Sequence, residues 1–462
     1  MKSRLGIAVL IASLLAVPLP ADEWTPGSQV TSRLEQFESQ TRQLRSELQW
    51  PGDQPPPLPE VGEPSFEMAS TMAPPPDTAN ADEYFTLEEL KAEMRQLAWT
   101  KGDFRIVPYG VLWFNMAYET ERTLDGDYTL FVLSRDDEGE DTFHVNARAT
   151  RLGIDVAGPQ VPVLGCAPSG GKVEIDFFGA FAGGENKPGV LLRHAYWEVK
   201  DENFRLLAGQ TWDVISPLYP GTLMYSVGWG GGNIGYRRAQ LRGERYLALS
   251  DTALLTVQGA LAADLFSELA PAVGGDHAGW PVLEGRLGMT LGPRGKHCRP
   301  ITFGVSGHIG EQDFDFDPAD PLDDAMARTW SLNADVRIPI TDRLGFQGEF
   351  FTGENLGAYL GGIIQGINTT TAEPIRSTGG WFELWYDWTD RVHSHVGYSI
   401  DDPIDADVTN GRTYNQFIFA NISRNLTDKF LVGFEYTSWR TLYDAKRPGE
   451  SDRFAFVAKY GF

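Results

Sequence analysis

The nine residues FAFVAKYGF, 454–462, decide the fold. Phe454, Phe456, Ala458, Tyr460 and Phe462 recur every second position, so the segment makes a strand with one apolar face and one mixed face. A strand that closes on an aromatic suits the last stave of a membrane barrel, and points to the bacterial outer membrane. The plain alternative is an edge strand of a soluble domain. The opposite end of the chain argues against it: Lys2 and Arg4 precede an apolar run over 5–19, and Ala21 offers a small residue for cleavage. Residues 1–21 therefore read as a secretory signal peptide, too short and wrongly flanked for a spanning helix. No later stretch supplies the ~20 continuous apolar residues such a helix needs, so a membrane fate must come from strands.

The 462 residues are 42% hydrophobic and 12% aromatic, yet the mean hydropathy is −0.27. A barrel gives this combination because half of each strand faces water. A formal charge of −24 excludes nucleic acid and anionic lipid as electrostatic partners. It places acid in loops, most densely in EQDFDFDPADPLDD, 311–324, which reads as a solvated acidic loop with divalent-cation bridging as the sharper alternative. Cys166 and Cys298 lie in Gly/Pro-rich turn sequence; the exported compartment is oxidising, and the sequence leaves open whether they are bridged.

After the signal, Val30, Leu34, Phe37, Thr41, Leu44 and Leu48 follow a heptad seam, so 22–50 is expected to be a coiled-coil helix on the periplasmic side, or an amphipathic helix packed on another surface. Residues 51–84 form a Pro-rich linker, and 85–100 a short helix with Thr86 and Glu89 as a capping box. From about residue 101 the period becomes two and stays two to residue 462. Leu332, Val336 and Ile338 alternate with Asn333, Asp335 and Arg337; Phe430, Val432, Phe434 and Tyr436 alternate with Glu435 and Thr437. Connections alternate as well, tight near 201–203, 250–252, 341–342, 390 and 425–428, and long at 213–235, 266–279, 313–327, 353–380, 401–412 and 442–452. Short turns on one side and long loops on the other give an all-β, 16-stranded antiparallel transmembrane β-barrel, a size at which the interior is an aqueous channel. A soluble sandwich or propeller would need polar outer faces where these strands carry apolar ones.

No catalytic motif is present: GxSxG, HExxH, paired CxxC and phosphate-cradling loops are all missing from the sequence, and no cofactor, metal or enzymatic activity is expected. His393 and His395 share one polar face without an evident third ligand, so they read as solvated lumen histidines. The loop DVISPLYPGTLMYSVGWGGGNIG, 213–235, is too apolar for a free outside loop and is expected to fold into the lumen and narrow it. An outside loop packed on a neighbouring subunit is the alternative. Arg238, Arg242, Arg286 and Arg337 would then make a basic wall, faced by an acidic one of Glu349, Glu383, Asp387 and Glu435. Opposed walls orient charged solutes, and arginine pairs bidentately with carboxylate and phosphate.

The runs LRHAYWEVKDENFRLLAGQTWDVISPLYPGT, GYRRAQLR, GEFFTGENLGAYLGG, GGWFELWYDWTDR and NARATRLGIDV resemble the DcaP-like outer-membrane porins over nearly the whole mature chain. The resemblance implies a homotrimer in outer-membrane lipid, N-terminal helices associating in the periplasm, and arginines at a constriction that favours small organic anions. Carried onto this sequence, Arg238 and Arg242 stand at the constriction, with Asp213, Tyr219 and Trp229 on the folded loop. The Pro-rich linker, the acidic total and the two cysteines depart from that pattern. The expected activity is passive diffusion of small hydrophilic solutes, with carboxylates favoured. A phosphate-selective porin would demand a denser basic ladder, and a tether between outer membrane and cell wall would reside in the N-terminal segment.

Overall fold

The computed structural model describes residues 99–462 apart from 125, 138, 180–188, 266–273, 278, 295–297 and 316–323. The expected signal peptide, coiled coil, Pro-rich linker and residues 85–98 of the expected short helix lie outside the described residues. Trp99 and Thr100, the end of that expected helix, are instead extended: Trp99–Lys101 pairs with Phe104 to Ile106. Gly102, at φ +61°, opens the two-residue turn between them, and a tight hairpin is incompatible with helix.

Nineteen hydrogen-bonded segments form one sheet. Trp99–Lys101 and Gly274–His277 are short additions, and two other segments are halves of one strand, which leaves sixteen staves. These are β1 (Phe104–Glu119), β2 (Thr142–Asn146 and Arg151–Val161), β3 (Ala167–Asp176), β4 (Leu191–Lys200), β5 (Phe204–Trp212), β6 (Arg237–Ser250), β7 (Ala253–Ala262) and β8 (Val282–Leu291). The second half comprises β9 (Ile301–Asp315), β10 (Asp324–Pro339), β11 (Leu344–Glu354), β12 (Arg376–Thr389), β13 (Val392–Pro403), β14 (Arg412–Thr427), β15 (Phe430–Tyr443) and β16 (Gly449–Gly461). Each pairs antiparallel with the next, and β16 returns to β1 with Glu119 opposite Arg453 and Val111 opposite Gly461. The sheet is thereby a closed barrel without an edge, the strand architecture that satisfies every backbone group in lipid.

The period of two sets which side chains meet which solvent. On β10, Leu332 is 59% exposed while its neighbour Asn333 is 2% exposed. Leu287, Phe350, Phe382, Ile418, Phe434 and Phe454 are likewise exposed outward, and aromatics such as Trp388 and Tyr460 stand near strand ends, as an interfacial girdle requires. Tight connections at 201–203, 251–252, 340–343, 390–391 and 428–429 share one rim with 162–166 and 292–300, which carry Cys166 and Cys298; both thiols are free. The other rim carries the long loops, including 120–141, 213–236, 355–375, 404–411 and 444–448.

Beside the closing seam, loop 120–141 is strapped to loop 444–448. Arg447 Nε donates to Asp136 at 2.6 Å, Lys446 Nζ to Asp137 at 2.9 Å and Ser134 Oγ to the Arg447 carbonyl at 2.8 Å. Arg135 Nε donates to Glu121 at 2.7 Å and its Nη2 reaches Glu450 of β16.

The interior departs from a purely polar lining in one respect. On β14 the inward positions 417 and 419 are phenylalanines, fully buried with Trp439 and Val132 against Met224. Two further apolar clusters join Ile215 and Ile234 to Phe351, Leu356 and Tyr359, and Leu223, Tyr225, Trp229 and Tyr236 to Trp113, Tyr128, Phe178 and Ile363. Each cluster contains residues of 213–236, so the barrel's only extensive apolar packing among the described residues is against inward-folded loops.

Candidate functional site

Residues 213–236 connect β5 to β6 and lie inside the barrel, where strand carboxylates hold their backbone. Val214 N donates to Glu284 of β8 at 2.8 Å, and Leu218 N to Glu349 of β11 at 2.7 Å. Gly221 N donates to Glu383 of β12 and Leu223 N to Glu435 of β15, both at 2.6 Å. The loop then reaches other arcs of the wall: Tyr225 OH meets Asp176 of β3 and Arg193 of β4, Ser399 Oγ of β13 donates to the Gly231 carbonyl, and Asn415 Nδ2 of β14 donates to the Gly230 carbonyl at 2.8 Å. A charge-assisted bond of this kind is worth about 1.5–3 kcal/mol, and burying one large apolar side chain about as much. The carboxylates therefore fix the loop's course while Leu223, Met224, Tyr225, Trp229 and Tyr236 supply comparable burial.

The GWGGG run is explained by contact. At Gly232, φ +127°, a Cβ would stand 2.4 Å from Ser399 Oγ and 2.5 Å from the Gly380 carbonyl, so only glycine lets the loop backbone press against β12 and β13. The loop's two ends are pinned together, with Asp213 N donating to the Tyr236 carbonyl and Tyr236 N to Asp213 Oδ2, each at 2.8 Å.

Between the first turn of this loop and the wall from β4 to β10 lies a cavity of about 310 Å³. Arg242 and Glu244 of β6, Arg286 of β8 and Asp335 of β10 line it, opposite Asp213 and Tyr219 of the loop. Its charges are matched at the wall: Arg242 Nε lies 2.8 Å from Glu244, and Arg286 Nη2 lies 2.6 Å from Asp335, with Nε also bonded to that carboxylate. The Arg286 side chain keeps 12% exposure while Asp335 keeps 2%, so the guanidinium is the member of the pair nearer the aqueous space.

The structure brings Arg242, Arg286, Asp213 and Tyr219 to this cavity and places the remaining expected residues elsewhere. Arg238 is fully buried: its Nε donates to Asp213 at 2.7 Å and lies 3.7 Å from Glu284, its Nη2 donates to the Ala358 carbonyl, and its guanidinium stacks 3.8 Å from the Tyr359 ring. Arg337 lies over Trp385 at 4.8 Å. Trp229 is 1% exposed and packs against Tyr128 and Tyr236. Glu349 and Glu383, expected as an acidic wall with Glu435, are the acceptors that hold the loop. Asp387 bonds His393 Nδ1 at 2.7 Å and meets Arg299 at 3.4 Å; His395 Nδ1 lies 3.2 Å from Glu383. Among the described residues no group of three His, Cys, Asp or Glu side chains could hold a metal ion.

Sequence reasoning did not single out Arg205, Arg193 or Arg237. Arg205 bonds Glu198 at 2.6 Å and Glu244 at 3.3 Å; Arg193 bonds Glu174 at 2.6 Å and Asp176 at 2.7 Å. Arg205 carries a readable signal, having the parity of the buried Leu207 and Thr211, whereas Arg193 has the parity of the exposed Trp197 and is turned inward by a register shift between β3 and β4. Arg237 carries the opposite signal, having the parity of the exposed Ala239 and Leu241.

No protein-family profile matches the chain, and no curated protein matches it. Solved structures do match. The outer membrane channel DcaP of Acinetobacter baumannii aligns with TM-score 0.62 and 18% identity over 79% of this chain and 99% of that one. The anion-selective porin from Comamonas acidovorans aligns with TM-score 0.51 and 11% identity over 78% and 100%. Salmonella typhi OmpF aligns with TM-score 0.50 and 12% identity over 79% and 100%. At these identities the likeness is one of fold. The chain has the closed sixteen-stranded antiparallel barrel of the DcaP outer-membrane channel, the fold its sequence resemblance implied.

Proposed function

We propose that the chain is an outer-membrane porin, a passive channel for small hydrophilic solutes that favours small organic anions such as carboxylates. The observation that carries this reading is the charged cavity between the folded loop and β4–β10, lined by the Arg242 and Arg286 guanidinium groups, with the Arg286 group more exposed than its Asp335 partner. Solutes pass on that side because the opposite arcs of the wall are occupied by the loop. The outward apolar band and its aromatic ends suit outer-membrane lipid, and a porin of this fold assembles as a homotrimer with its tight turns and N-terminal segment in the periplasm. A neighbour of the same fold is named an anion-selective porin, which supports the charge preference.

A phosphate-selective porin would need arginines without carboxylate partners along the passage; Arg205, Arg242 and Arg286 each have one. The test is the reversal potential of purified protein in planar bilayers under a potassium chloride gradient. Native protein favours chloride. A unit charge about 8 Å from a passing ion in a water-like medium is worth ~0.5 kcal/mol, roughly a twofold change in permeability ratio. Arg286→Ala with Arg242→Ala exposes Asp335 and Glu244 and shifts the potential toward potassium by roughly that factor per site. An unchanged potential and conductance would remove the passage from this wall.

A further inference from the structure

Arg237 and Arg238 stand side by side at the start of β6, and the aspartate at the loop's root serves only one of them. Asp213 is taken by Arg238 Nε and by the Tyr236 backbone amide. The other nearby carboxylate, Asp176, is taken by Arg193 Nη1, the Tyr225 hydroxyl and the Phe178 amide. Arg237 is left 2% exposed, with Nε, Nη1 and Nη2 all buried and without a hydrogen-bond acceptor. Its surroundings are aromatic faces: Trp212 at 4.4 Å, Tyr236 at 4.7 Å and Trp229 at 5.7 Å from the guanidinium carbon. Ring faces attract the cation electrostatically, but they do not replace the acceptors its N–H groups lose on leaving water. The root of the folded loop thus holds one positive charge and a set of donors that no side chain among the described residues answers.

We propose that this aromatic box is a binding site for a small monovalent inorganic anion, of the halide class, with the Arg237 guanidinium as its ligand. The enclosure sets the size: Trp229 is 1% exposed and Tyr236 7%, so the site takes an ion close to water in size rather than a transported solute. The anion would neutralise Arg237 where Trp212 ends β5 and where Trp229 and Tyr236 belong to the loop's far end, and so tie both ends of 213–236 to the wall. Binding to the folded state alone raises stability in proportion to the logarithm of anion concentration. The inference does not depend on conduction.

Two measurements test it on the full-length protein in detergent. Crystals grown with sodium bromide should give an anomalous peak within hydrogen-bonding reach of Arg237; ordered water alone at that position would overturn the proposal. Thermal unfolding should be a few degrees higher in sodium chloride than in sodium gluconate at equal ionic strength, and Arg237→Met should abolish the difference. A chloride effect that persists in that variant also refutes the site. If the variant does not fold, the bromide peak on native protein decides alone.

Discussion

Arg238 and Arg242 lie four residues apart on the inward face of β6, yet one lines the cavity and the other is sealed beneath a loop. What separates them is the depth of the loop's first turn: Asp213 arches over position 238 and leaves 242 beside the cavity. Removing one partner of a buried pair costs about 3–5 kcal/mol, because the charge left behind is uncompensated. Arg238→Met, which strands both Asp213 and Glu284, should therefore lower stability by about that amount, read as a drop in the temperature at which the folded band converts to the unfolded band on unheated gels. Period-two counting found positions 238, 242 and 286 because inward parity is written in the sequence. It could not tell which would be covered, since coverage depends on the course of loop 213–236 across the lumen, which is set by strands distant in sequence such as β8 and β11. Arg237 was missed for a sharper reason: at the strand's first residue the loop still governs direction, and parity fails.

Loop 213–236 was legible as a folded-in loop from its aromatics, prolines and GWGGG run, because an apolar segment needs an apolar surface. Which wall residues would receive it was not. Glu349, Glu383 and Glu435 read as a field-setting acidic wall, and they are acceptors for loop amides instead. Glu435→Leu removes the acceptor of the Leu223 amide and of the Thr222 hydroxyl. At about 1.5–3 kcal/mol for the lost charge-assisted bond, hydrogen exchange at Leu223 should rise roughly ten- to hundredfold, while strand amides on β10 stay protected. Loop 404–411 has a separate fastening. Arg376 at the head of β12 donates through Nε and Nη2 to Asp407 at 2.7 and 2.9 Å, and these bonds hold the Asp407 carboxyl below the usual carboxylate range. A carboxyl depressed in the folded state contributes stability that is complete above its ordinary value, ~3.9, and is lost as pH falls through the lower folded value. Acidification across that window should expose this loop to exchange, and Asp407→Asn should remove the pH dependence.

At the scale of the whole molecule, the count of sixteen, the alternation of tight and long connections and the membrane-facing band were all open to reading, because each rests on local period and turn chemistry. Strand lengths were read short: β9 and β10 run into the acidic segment to Asp315 and from Asp324, where side-chain patterning weakens and backbone pairing continues. The apolar phenylalanines on the inner face of β14 were likewise hidden, since they answer Met224 rather than solvent. Outward polarity remains the decisive constraint. Leu332, mid-way along β10, should not tolerate arginine: a cation on the lipid face costs ~2–4 kcal/mol near the midplane. Leu332→Arg should reduce the fraction of chains that fold into vesicles, whereas Asn333→Ser on the inner face should fold like the parent.

The strap between loops 120–141 and 444–448 joins residues more than three hundred positions apart in sequence, Asp136 to Arg447 and Asp137 to Lys446. On the linear chain these groups are strangers, and they become one contiguous patch only after β16 has met β1. An antibody fragment selected against that patch would bind closed barrels and ignore unassembled chains or peptides. It would serve as a reporter of assembly.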